Sequence, residues 1–254
     1  MSAHFLLAQI SDCHIGGPAQ GGRTPEQRLA RALEALSPFR PHAILATGDL
    51  ANDEKPEEYA VLARLLAPAS APVFLIPGNH DAPAALRAAF PTHAYLPAAG
   101  PLSYVIDDFP VRIVAIDQTT PGAVHGDFTE AHAAWLEAAL ARAPGTPTLV
   151  ALHHPPFPSH DRLFDGIGLL GAERFIAIIA RHRQVRRVLC GHHHRLVYGM
   201  AAHAPVVCAP ATAWSYGLAL RPEQRLAAKA DAPCGAMLHV WSAAGGFASH
   251  FLSI

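Results

Sequence analysis

Lysine is almost missing from this chain. Lys55 and Lys229 are the only two among 254 residues, and 19 basic residues stand against 20 acidic ones, a formal net charge of −1. That balance leaves no basic footprint for a nucleic-acid backbone and no acidic block, so nucleic acid is not an expected partner. The excess of arginine over lysine reads as codon bias in a GC-rich genome. Paired cysteine motifs are absent too: Cys13, Cys190, Cys208 and Cys234 form no C-x-x-C. They read as free thiols in a reducing compartment. No apolar run approaches the roughly 20 residues that span a bilayer. The first dozen residues lack the basic and apolar regions of a secretory signal. These absences point to a cytoplasmic protein that does not use a membrane. The length suits one α/β domain over residues 1–254.

Histidine is the residue in excess, at 17 copies. Strand and helix signals alternate along the chain. His4–Ile10, Ala43–Thr47, Val73–Ile76, Thr148–Leu152 and Val185–Cys190 are short apolar runs of strand type. Thr24-Pro25-Glu26-Gln27 is a capping box that opens a helix to Leu36. Pro56–Leu66, Thr129–Arg142 and Ala172–His182 are further helices. The middle, Leu102–Ile106 and Val111–Ile116, reads as a meander. The tail holds strand-like runs at Pro205–Cys208, Ala236–Trp241 and Phe247–Leu252.

Five of these strands end in loops rich in acidic, amide or imidazole groups. The loops are Asp12-Cys13-His14, Gly48-Asp49, Gly78-Asn79-His80-Asp81, His153-His154 and Gly191-His192-His193-His194. In α/β sheets, ligands bind beyond the carboxyl ends of strands, so the five loops should converge on one edge. Mixed carboxylate, amide and imidazole donors suit Mn, Fe, Co or Zn rather than Ca or Mg. In Asp12-x-His14 and His192-x-His194 alternate residues point the same way, so each pair can reach one ion. The glycines allow close approach of backbone.

The ordered set ISDCH, TGDL, PGNHD, LHHPP and CGHHH resembles the calcineurin-like metallophosphoesterase superfamily. Within it, the chain is similar to bacterial class III cyclic nucleotide phosphodiesterases and to glycerophosphodiesterases. The resemblance is strong over about residues 5 to 195. It implies a four-layer αββα sandwich of two mixed β-sheets flanked by helices. It also implies two divalent or trivalent transition metal ions (Fe, Mn, Zn or Co). One would be held by Asp12, His14, Asp49 and His194, the other by Asp49, Asn79, His153 and His192, with Asp49 bridging. His80 would lie beside the phosphate as proton donor or charge stabiliser; by adjacency alone, Asp81 is placed to hold its ring as carboxylates hold imidazoles. Asp81 and His154 would orient ligands or their neighbours. The reaction implied is hydrolysis of a small phosphodiester by hydroxide generated at two ions about 3.5–4 Å apart.

The competing functions are a phosphomonoesterase or protein phosphatase, a DNA nuclease, and a non-catalytic scaffold. Neutral charge and the lack of a capping domain count against the nuclease, and the retained donors count against the scaffold. Substrate choice is assigned to 83–100, 155–171 and the tail near Trp214-Ser215-Tyr216. Trp214 and Tyr216 read as core or dimer-contact aromatics, with base stacking as the alternative. Asp117 and His125 are divided between lining the cleft and forming turns. His42, His93, His160, His182, His193, His203, His239 and His250 read as structural, and Cys13 and Cys190 as packing groups. The partner expected is a small phosphodiester, with a homodimer left open.

Overall fold

The computed structural model describes residues 4–225, 227–229 and 232–254. Its first half alternates strand and helix: β1 (Phe5–Ile10), α1 (Pro25–Leu36), β2 (Ala43–Thr47), α2 (Pro56–Leu66), β3 (Val73–Ile76) and α3 (Pro83–Ala89). The second half runs β4 (Tyr104–Ile106), β5 (Arg112–Ala115), β6 (Gly126–Asp127), α4 (Glu130–Ala141), β7 (Thr148–Ala151), α5 (Arg162–Asp165), β8 (Leu169–Leu170), α6 (Ala172–Arg181) and β9 (Val185–Cys190). It closes with β10 (Val197–Ala201), β11 (Ala204–Cys208), β12 (Ser215–Tyr216), β13 (Ala228–Lys229), β14 (Gly235–Ser242) and β15 (Gly246–Ser253).

Two mixed sheets carry the structure, in the orders β15-β14-β1-β2-β3 and β10-β11-β9-β7-β5-β4. β1, β2 and β3 are parallel to one another, and β14 joins β1 antiparallel. β5, β7, β9 and β11 are parallel, with β4 and β10 antiparallel at the edges.

Side-chain alternation along the strands explains the layering. Ile113, Ala115, Leu149, Ala151, Leu189 and Val207 join β1–β3 in one core between the sheets. Their neighbours Val114, Val150, Val188, Cys190, Val206 and Cys208 point the other way, into a second core with Phe128, Leu136, Leu140, Phe175 and Ile179. Strand side chains alternate faces, so each run supplies both cores. Helices α1 and α2 cover the outer face of one sheet and α4 and α6 that of the other. The result is the four-layer αββα sandwich.

The two middle runs pair with each other as read. β4 and β5 form an antiparallel hairpin, and the chain then crosses over through α4 so that β7 runs parallel to β5. Two apolar runs with a short polar gap fix only the first pairing. The helices α3 and α5 and the edge strand β10 carry weak periodicity and are found only in the structure.

At α1, the Thr24 hydroxyl accepts from the Gln27 amide at 3.3 Å while the Gln27 side chain accepts from the Thr24 amide at 3.0 Å. Thr24→Ala removes one arm of this box and should cost about 1 kcal/mol of stability. Chemical denaturation checks the loss, and metal content should not change, because the cap lies away from the five strand ends.

Candidate metal centre

The five loops meet, but from two sheets rather than one edge. Three follow β1, β2 and β3, and two follow β7 and β9 of the facing sheet. The loops after β1 and β2 are zipped by backbone bonds: Asp12 N–H to Gly48 O, His14 N–H to Asp49 O, both 2.9 Å, and Ile15 N–H to Leu50 O, 3.0 Å. Across the sheets, Gly191 N–H donates to His153 O at 3.0 Å and His192 N–H to the Asp12 carboxylate at 3.0 Å.

The loop backbones are strained. Asp12, His14, Asp49, His192 and His194 all have positive φ, between 44° and 70°. L-residues rarely adopt that region, at a cost of order 1–3 kcal/mol each, and such strain gathers at functional sites. Two glycines make the crowding possible. Gly48 has φ 94° and lies under the His153 ring, and a Cβ on Gly78 would strike the Asp49 carboxylate and amide.

Two groups of donor atoms result. Asp12, His14, Asp49 and His194 bring one atom each within 4.8 Å of one another. His14 Nε2 lies 3.0 Å from His194 Nε2 and 3.6 Å from Asp49 Oδ2, and His194 Nε2 lies 3.5 Å from Asp12 Oδ1. The other carboxylate oxygen, Asp49 Oδ1, lies 3.3 Å from His153 Nε2. His153 and His192 pack edge to face with ring centres 5.3 Å apart. Asp12, His14, Asp49, His153, His192 and His194 are all buried, while Asn79 and His80 open to the cleft.

The donors fit a cation. Asp12 Oδ2, Asn79 Oδ1, His153 Nε2 and His192 Nε2 are buried with no hydrogen-bond partner among the described residues. Buried polar atoms normally have partners, and four acceptor-capable orphans from four loops call for a positive guest. The tautomers agree. Carbonyls only accept, so His153 Nδ1–H donates to Thr47 O at 2.7 Å and His194 Nδ1–H to Trp214 O at 2.8 Å. Each ring therefore turns a bare Nε2 inward.

Electrostatics point the same way. Burial alone would raise the Asp49 carboxyl, but the imidazoles of His153, His14 and His80 outweigh it and hold it well below the usual range. Burial drives His192 and His194 well below the ordinary imidazole value and His14 down to about 4, which leaves neutral rings with free lone pairs. Burial would lower His153 as well, yet the Asp49 and Asp12 carboxylates raise it to about 9. The pull of both carboxylates on that ring shows that the pocket favours positive charge.

The neighbours of these donors have hydrogen-bond partners of their own. His154 packs on His192 at 4.3 Å, but its Nδ1 meets the Gln118 amide at 2.8 Å and its Nε2 meets Val124 O at 3.1 Å. It lies with His153 and His192 in a group whose ring nitrogens come within 4.8 Å of one another, but both of its nitrogens have partners, so it supports His192 rather than offering a donor. Asp81 does not hold the His80 ring. Its carboxylate accepts from the amides of Gly78, Leu50 and Ala51 at 2.9–3.2 Å and from the Tyr59 hydroxyl at 3.1 Å, tying the Asp49 loop to the Asn79 loop. Burial, then Asp49, pushes its pKa up to about 6. The His80 ring is held by Asn52 instead, Nδ1 to the carbonyl at 2.9 Å. Asp117 forms a turn, accepting from the amides of Leu102 and Thr119.

Two residues lay beyond the sequence reading in this role. Trp214 stacks on His14 at 4.6 Å and supplies the carbonyl that holds His194, and Tyr216 packs on His194 at 4.8 Å. Trp214 is 7% exposed, so it is a buried wall of the site rather than a free platform for a base. Its distance in sequence from any motif hid it.

Residues 5–196 match the family model described as calcineurin-like phosphoesterase. The chain is 37% identical over 224 residues to the glycerophosphodiester phosphodiesterase GpdQ of Enterobacter lignolyticus, covering 82% of this chain and 77% of that protein. It is 34% identical over 223 residues to a cAMP/cGMP dual specificity phosphodiesterase of Mycobacterium tuberculosis, covering 84% and 69%. Among solved structures, a dimetal phosphatase from Danio rerio superposes with TM-score 0.67 at 14% identity, over 98% of both chains, a likeness of fold.

Gly78→Ala tests the crowding. The methyl would displace Asp49, so metal affinity should fall at least tenfold with secondary structure unchanged by circular dichroism. Unaltered affinity would show that Asp49 does not need its present position.

Proposed function

The chain belongs to the calcineurin-like phosphoesterase family, and from that premise we propose that it hydrolyses small phosphodiesters, a glycerophosphodiester or a 3',5'-cyclic nucleotide. We read residues 1–254 as one domain. The observation that carries the reading is the Asp49 carboxylate, whose two oxygens face different donor groups, Oδ2 toward His14 and Oδ1 toward His153. One ion would be held by Asp12, His14, Asp49 and His194, and the other by Asp49, Asn79, His153 and His192. Fe, Mn, Zn or Co suits these donors. When bound, such a pair lowers the pKa of water and neutralises charge that develops on phosphoryl oxygens.

The chain's own residues do the rest. Thr47 O and Trp214 O fix the tautomers of His153 and His194. Asp81 fixes the spacing of the Asp49 and Asn79 loops. His80, half-buried at the cleft, spends Nδ1 on Asn52 O, and its Nε2 has no protein hydrogen bond among the described residues. Protonated there, it delivers a proton to the leaving alkoxide. Such transfer is typically worth 10²–10⁴-fold.

Charge favours diesters. The cation nearest the clusters in sequence, Arg195, is turned away: its guanidinium pairs with Asp161 at 2.5 Å and donates to Gly217 O at 2.8 Å. A dianionic monoester would require an Arg or Lys clamp that the five loops do not contain. Relatives named as phosphodiesterases support the same choice. Turnover with each metal in turn should be faster on bis-nitrophenyl phosphate than on nitrophenyl phosphate. The reverse order would favour a phosphatase.

The ligand division has its own test. Asn79→Ala should weaken one ion 10–100-fold and spare the other, read by calorimetric titration. Two undisturbed sites would refute the division. His80→Ala should slow an alkyl diester far more than a nitrophenyl diester, because nitrophenolate leaves without a proton. Equal losses would reduce His80 to a stabiliser of charge.

A further inference from the structure

Behind the centre, between the two sheets, lies a row of polar side chains that the proposed reaction does not use. Gln9, on β1, is fully buried. Its amide nitrogen donates to Thr47 Oγ1 at 2.9 Å and to Cys190 O at 2.9 Å. Thr47 is the last residue of β2 and Cys190 the last of β9, so one side chain ties together the strand ends that precede Asp49 and His192.

The donor directions follow from a single fact. A backbone carbonyl can only accept, so the nitrogen of the Gln9 amide must face Cys190, and its oxygen must face the other way. That oxygen lies 3.0 Å from Nε2 of His239, which must then carry the proton. His239 is fully buried and its Nδ1, left as acceptor, lies 2.8 Å from the Ser249 hydroxyl. Ser249 in turn accepts from Arg187 at 3.2 Å. On the near side, Thr47 Oγ1 donates to Ser11 Oγ at 2.8 Å, and Ser11 Oγ–H reaches Thr47 O at 3.2 Å. That carbonyl is the one that fixes the His153 tautomer. Every donor from Arg187 to Ser11 points the same way, toward the centre. Chains with one sense polarise one another and strengthen.

We propose that Arg187, Ser249, His239, Gln9, Thr47 and Ser11 form a one-way hydrogen-bond relay, and that Gln9 is a positioning residue that sets the strand ends carrying Asp49, His153's anchor and His192. The need for it is local. Beyond Thr47 the chain enters left-handed backbone at Gly48 and Asp49, and beyond Gly191 at His192. Strained turns hold their shape only when their regular ends are pinned. The proposal rests on Asp49, His153 and His192 as metal ligands.

Three measurements test it. In the metal-free protein, ¹⁵N NMR should show His239 neutral with the proton on Nε2; a proton on Nδ1 overturns the relay whether or not metals bind. Metal titration should show Gln9→Met weakened 10–100-fold per folded molecule, the size typical of groups that orient ligands. If Gln9→Met loses stability but binds metal as tightly as wild type, Gln9 is a packing residue and the proposal fails. Should Gln9→Met not fold, Ser249→Ala at the outer strand removes the donor to His239; it should shift the His239 signals and weaken metal binding in the same direction, and no change in either overturns the relay. Wild-type protein that binds no metal would instead overturn the parent reading.

Discussion

The Asp49 carboxylate is the constraint on which the rest of the site depends. It is buried at 2% exposure with imidazoles on both flanks, and among the described residues no Arg or Lys pairs with it. An unpaired buried anion is costly, and here the compensation is distributed over His14, His153 and the His80 amide. Holding that arrangement requires left-handed backbone at five of the candidate donors and a residue without a side chain at Gly78. The fold absorbs the strain by anchoring each loop at a strand end, and the zipped backbone after β1 and β2 spreads the load over both loops.

The two-sheet architecture is what makes the mixed donor set possible. Parallel strands deliver their carboxyl ends to one rim, and two stacked sheets bring two such rims face to face. Asp12, His14, Asp49 and Asn79 come from one rim and His153, His192 and His194 from the other. Acidic and amide donors therefore meet imidazoles across the gap, with Asp49 between them. Supporting groups are drawn from farther away. Asp81 clamps neighbouring loops through three backbone amides, and Trp214 reaches back from the tail to wall the His14 side.

Much of this was legible in the sequence, for local reasons. Thr47, Ile76 and Cys190 end strands where apolar runs meet Gly or Pro-Gly, and the capping box at Thr24 announces α1. The five donor clusters stand out because each follows such a run. What stayed hidden depends on distant partners. The helix between β5 and β7 is announced by Thr129, but that it carries the chain over to pair β7 parallel to β5 depends on how the helix packs on the sheet. Asp81 beside His80 suggests a carboxylate–imidazole pair, but the nearby amides of Leu50 and Ala51 compete better for a buried carboxylate. Gln9 sits inside an apolar run and His239 in the tail, and neither shows that they meet until the sheets are stacked.

The proposed function places Asp49 between two metal ions. Crystals grown with manganese and measured by anomalous diffraction test it directly. Two anomalous peaks are expected, one on each side of the Asp49 carboxylate, the first against His14 and His194 and the second against His153 and His192. A single peak, or peaks that leave Asp49 uncoordinated, would contradict it.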